Sequence, residues 1–144
     1  MAILEEPRTL FIVLMLICPA IAIINSVIFG NKLKQFARRM RMLSSYDDIL
    51  YFQRVVKQQM YAALFQMALL ATPAILYVVG AVRGYLSVGD LIFVIGPSFI
   101  VLFAGLRLKA TERKVRVIPA RDRDLEQQRD DIVTVWVKRA LPNW

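Results

Sequence analysis

Three uncharged apolar stretches, residues 10–30, 60–82 and 91–106, divide this chain, and the polar residues between them fall into blocks. The first two exceed the roughly 20 residues that cross about 30 Å of hydrocarbon at 1.5 Å per residue. The third is shorter, but Leu86 and Leu108 extend it, and tilt or local thinning absorbs a modest mismatch. The pattern predicts an all-α integral membrane protein with three transmembrane helices, at about residues 10–30, 60–82 and 87–107.

Residues 31–59 carry a second period. Leu33, Phe36 and Met40 recur at three and four residues among Lys32, Lys34, Gln35, Arg38, Arg39 and Arg41, which predicts an amphipathic helix continuing span one. Ser44 and Ser45 break the run, and Ser45 followed by Asp48 resembles a helix-capping start. Ile49, Phe52 and Val56 then form the next stripe, leading into span two. Packed antiparallel, the two helices would make a hairpin reaching roughly 18 Å past the bilayer at 1.5 Å per residue.

Residues 83–90 form a tight connection, with Gly84 and Gly89 for turning and Ser87 or Asp90 to cap the third helix. After span three, residues 107–116 continue as basic helix until Pro119. Residues 1–116 thus read as the membrane domain and 117–144 as a basic C-terminal tail. In the tail, the β-branched residues 132–137 favour a strand by propensity, whereas Leu125, Ile132 and Trp136 align on one helical face. Ile132, Trp136 and Trp144 are its candidate docking residues, on a partner or on the bilayer surface.

Charge then sets the orientation. Of 19 Lys and Arg, the N-terminal segment holds Arg8, the first loop seven, the second loop Arg83 and the C-terminal segment ten. Short loops rich in Lys and Arg stay cytoplasmic, so the N-terminus is expected outside and the C-terminus inside, in a bacterial inner or equivalent energy-transducing membrane. The net charge of +8 is therefore read as meeting anionic lipid, and nucleic acid is not expected as a partner. The candidate contacts to anionic lipid or partner subunits are Lys32, Lys34, Arg38, Arg39, Arg41, Arg107, Lys109, Arg113, Lys114 and Arg116. Residues 1–8 carry Glu5 and Glu6 against Arg8, unlike a cleaved signal peptide, and Cys18 is the sole cysteine.

The chain has no histidine, which removes His-ligated metals and the usual nucleophile–base pairs. No carboxylate lies inside the three apolar cores, and no phosphate-cradling loop appears, so neither a cofactor nor catalysis by this chain alone is expected. The polar residues within the spans are Asn25, Ser26, Gln66, Thr72 and Ser98. They would hold helices together or line a groove, with an Asn25–Gln66 contact feasible. Pro19, Pro73 and Pro97 fall one in each span, and Thr72 and Ser98 lie beside two of them.

Residues 77–94, Tyr-Val-Val-Gly-Ala-Val-Arg-Gly-Tyr-Leu-Ser-Val-Gly-Asp-Leu-Ile-Phe-Val, resemble the last outer loop of ABC exporter membrane domains. The shared features are a glycine-ended helix, a G-x-L-(S/T)-V-G-D turn and a final span. The resemblance implies an outer position for the turn, but the long cytoplasmic helices, coupling helix and ATPase domain of that family are missing. The order of outside N-terminus, span, helical hairpin, two spans and basic tail is similar to the YidC/Oxa-type insertases, in topology only. The expectation is a non-catalytic accessory subunit of a larger membrane complex. The alternatives are an insertion or transport facilitator with a polar groove, or a small homo-oligomeric channel.

Overall fold

The computed structural model describes residues 6–142; the expected docking residue Trp144 lies outside them. The described residues form four α-helices: α1 (Pro7–Arg39), α2 (Tyr46–Val82), α3 (Ile92–Arg116) and α4 (Arg123–Lys138). A short 3-10 turn, Val88–Leu91, leads into α3. Three helical segments are long and apolar enough to cross a membrane: Pro7–Arg39, Tyr46–Val82 and Val88–Arg116.

The helix boundaries follow from local chemistry. Proline opens α1, where its missing N–H would have had no partner in any case. At the start of α2 the Asp48 N–H donates to Ser45 Oγ at 3.3 Å, and Asp48 Oδ2 accepts from the Ser45 N–H at 3.1 Å. The same oxygen accepts from the Ser44 N–H and hydroxyl, each at 2.9 Å. These donors, the Ser44 N–H foremost, hold the Asp48 carboxyl below the usual carboxylate range. At its other end α2 closes with Gly84 at φ 75°. There the Gly84 N–H reaches Ala81 O at 3.0 Å and the Tyr85 N–H reaches Gly80 O at 2.9 Å, the paired bonds of a Schellman termination.

All three interior prolines are accommodated within continuous helix. The Thr72 hydroxyl donates to Ala68 O at 2.8 Å and that of Ser98 to Val94 O at 2.6 Å. Each hydroxyl bonds the carbonyl four residues before itself. The carbonyls that Pro73 and Pro97 leave without an N–H belong to Leu69 and Phe93, so each hydroxyl bonds the carbonyl one residue away from the freed one.

The chain divides into two compact units. One comprises residues 1–27 and 65–106, the other residues 28–64 and 107–144. The first has a small buried cluster, Met15, Leu86 and Val94, with Phe11, Leu76, Tyr77 and Phe93 packed against it. A Cβ on Gly80 would come within 2.6 Å of Leu86 Cδ1 and 3.3 Å of Phe11 Cδ1, so glycine is what lets these side chains close on the helix. Most of its apolar surface stays uncovered, including Ile24, Phe65, Ile75, Ile100 and Phe103.

The second unit has the larger core. Leu33 and Phe36 of α1 meet Ile49, Phe52, Val56 and Met60 of α2, and Val115, Ile118, Leu125 and Ile132 complete the cluster. The Phe36 ring lies 5.8 Å from Phe52 and 5.4 Å from Tyr51, and Gln59 Nε2 donates to Phe29 O at 2.9 Å, an antiparallel pairing of α1 with α2. Residues 123–138 are helical, which decides between the strand and helix readings. Leu43, between α1 and α2, is bound on both sides. Its N–H donates to Pro119 O at 2.9 Å, and its carbonyl accepts from the Arg121 N–H at 2.9 Å. Arg129 Nη1 adds a bond to Ile118 O at 2.9 Å. The two Leu43 bonds tie the α3–α4 connection to the α1–α2 turn, and the Arg129 bond ties that connection to α4.

Candidate functional site

The polar residues expected within the spans are spent on the protein's own structure. Ser26 Oγ donates to Gln66 Oε1 at 3.0 Å across α1 and α2, and Asn25 is buried as well. Thr72 and Ser98 bond their own helices, as above. Where no water competes, such bonds hold helices together at roughly 0.6–2 kcal/mol each.

A second polar point lies at the entry to α3. The Asp90 side chain is only 3% exposed, and Oδ2 accepts from the Ser87 N–H at 2.8 Å and its hydroxyl at 2.9 Å. Oδ1 accepts from Arg8 Nη2 at 2.8 Å. The carboxylate caps the turn, as its spacing predicts, and it also fastens the start of α1, 82 residues away in sequence. Spacing gives no sign of that second role.

The third feature is basic. Of the 19 Lys and Arg, 17 lie in residues 28–64 and 107–144 together with eight of the 11 acidic residues, leaving that unit at net +9. Between α1 and α2 within it is a cleft of about 260 Å³. Lys32, Gln35, Phe36 and Arg39 line it from α1; Tyr51, Arg54, Val55, Gln58 and Gln59 line it from α2. Each helix contributes residues at i, i+3, i+4 and i+7, which is one continuous helical face. No carboxylate lines the cleft, and none forms an ion pair with Lys32, Arg39 or Arg54 among the described residues. Lys32 Nζ sits 5.0 Å from the Phe29 ring centroid.

Two of the expected anion contacts, Lys32 and Arg39, thus converge on one cleft, while Lys34, Arg38 and Arg41 are exposed and do not line it. Arg54, Gln35, Gln58 and Gln59 were not anticipated. The matching i, i+3, i+7 spacing of Lys32, Gln35 and Arg39 and of Tyr51, Arg54 and Gln58 is the signal that points to them. Arg107, Lys109, Arg113 and Lys114 are exposed on α3.

Three of the expected contact residues, Arg116, Ile132 and Trp136, make contacts within the chain itself. Arg116 is only partly exposed, bound to Glu112 at 3.3 Å with its guanidinium 4.9 Å from the Trp136 ring centroid. Ile132 is buried in the core, and Trp136 packs against that core. These two residues, expected to dock the tail on a partner or on lipid, dock it on this chain's own helices. The physical reason is the shared helical face of Leu125, Ile132 and Trp136, which joins the apolar cluster contributed by α1, α2 and α3. Comparison with protein-family models, characterised proteins and solved structures finds no match to this chain.

Proposed function

We propose that this chain is a non-catalytic membrane subunit that anchors a basic helical platform at the cytoplasmic face of a bilayer. The observation that carries the reading is the coincidence of two divisions. The unit holding most of the apolar span residues contains only Arg8 and Arg83 as basic groups, while the other carries net +9. Such a split matches the rule that short segments rich in Lys and Arg stay on the cytoplasmic side. On this reading the N-terminus and the α2–α3 turn lie outside, and the α1–α2 turn and α4 lie inside. The docking role is supported by the thinness of the span bundle. Only 28%, 11% and 11% of the three apolar windows are buried within the chain, which leaves broad faces for lipid or neighbouring helices. The paired Ser26 and Gln66 favour a fastening role for the span polar groups over a groove.

Mild-detergent extraction from native membranes, native-gel separation and mass spectrometry of the band test the subunit role. Co-migration with partners in fixed stoichiometry is expected. Migration as an isolated chain or small homo-oligomer overturns the role and favours the facilitator or channel alternatives.

A further inference from the structure

We infer that the cleft between α1 and α2 is a binding site for one anionic phospholipid headgroup, held through its phosphate. This rests on the membrane orientation proposed above, and it goes further by naming one site and one ligand class.

The chemistry of the walls selects an anion. Lys32, Arg39 and Arg54 bring three positive charges to about 260 Å³, with no carboxylate in the lining to neutralise them. Gln35 and Gln58 add amide donors suited to phosphate and glycerol oxygens. Arginine offers a planar fork that meets two phosphate oxygens at once, which a diffuse layer of surface lysines does not provide. The two least exposed arginines of the same unit have carboxylate partners, Arg116 with Glu112 and Arg129 with Glu126 and Asp130, whereas Arg39 and Arg54 are exposed. The arginines of the cleft have none among the described residues.

Position selects a lipid over a free anion. The apolar run of span one ends at Gly30 and that of span two begins at Met60. Lys32 and Gln58 are each two residues beyond those limits, about 3 Å along a helix rising 1.5 Å per residue. Arg54 and Arg39 stand about 9 and 14 Å beyond on the same rise. In the proposed orientation Lys32 and Gln58 therefore stand at headgroup depth, within the roughly 5–8 Å headgroup layer of a typical leaflet, and Arg54 and Arg39 stand on its outer side.

Native mass spectrometry of the full chain in mild detergent, titrated with phosphatidylglycerol or phosphatidylcholine, tests this directly. One phosphatidylglycerol per chain should bind at least tenfold more tightly than phosphatidylcholine. Arg39→Gln with Arg54→Gln should remove that preference, whereas Lys34→Gln with Arg41→Gln, an equal loss of charge outside the cleft, should change it less than threefold. All four side chains are exposed, and unchanged helical circular dichroism would verify that each pair of substitutions folds. Equal losses from the two pairs would overturn the cleft as a site while leaving the basic platform standing. Indifference of the wild type to headgroup charge would overturn both. Displacement of the lipid by millimolar inorganic phosphate or pyrophosphate would overturn the lipid assignment in favour of a soluble phosphate ligand.

Discussion

Gly84 holds φ 75°, a left-handed conformation, at the point where α2 stops, and open space surrounds the position of a Cβ there. A side chain would meet no neighbour, so the cost of Gly84→Ala is conformational alone, about 1–2 kcal/mol. A matching loss of stability is expected on unfolding in micelles with increasing SDS; a neutral result would mean that the Schellman termination is not retained in the folded protein. Asp48 gives a pH dependence of defined sign. Its carboxyl is held below the usual range in the folded chain, so its contribution is present above the unfolded pKa and is lost as pH falls through the folded one. The stability gap between wild type and Asp48→Ala should be constant from neutral pH down to about 5 and shrink below about 4. A gap that widens on acidification contradicts that sign. Both features were legible in the sequence, because a turn glycine and a Ser-x-x-Asp cap are local patterns.

At the scale of elements, the α1–α2 pair and α4 show what periodicity decides. Leu33, Phe36, Ile49, Phe52 and Val56 lie on the two stripes that spacing predicts, and all are buried. Phe52, fully buried, should cost about 3–5 kcal/mol on truncation to alanine, measured in the same SDS titration. Exposed Phe103 on α3 should cost far less in that assay, since its ring loses few protein contacts. Equal costs would show that the α1–α2 core is not a principal source of stability. For residues 132–137, strand propensity and helical spacing point in opposite directions. Helix prevails because Leu125 and Ile132 then enter a core already formed by α1, α2 and α3, whereas a lone strand would leave its backbone unpaired. That outcome depends on where other helices stand, so the segment could not announce it.

The whole molecule pairs a charge-poor apolar unit with a basic one, and the proposed orientation follows from that pairing. In a Cys18→Ser background, Gly89→Cys should react with an impermeant maleimide applied to intact cells. Asp47→Cys should react only after permeabilisation. The reverse pattern would invert the orientation and place the basic unit outside.

The sequence by itself determined the three apolar helices, the grouping of the basic residues and the caps at residues 45–48 and 87–90. Each depends on neighbours within a few turns of the chain, and lipid selects apolar length almost regardless of tertiary context. Only the tertiary structure decided that Arg8 reaches Asp90, that Ile132 and Trp136 pack on their own chain, and that Lys32, Arg39 and Arg54 line one cleft. Those contacts arise where helical faces far apart in sequence meet. The register of that meeting is set by side-chain packing, and a linear pattern of polar and apolar residues does not encode it in any one segment.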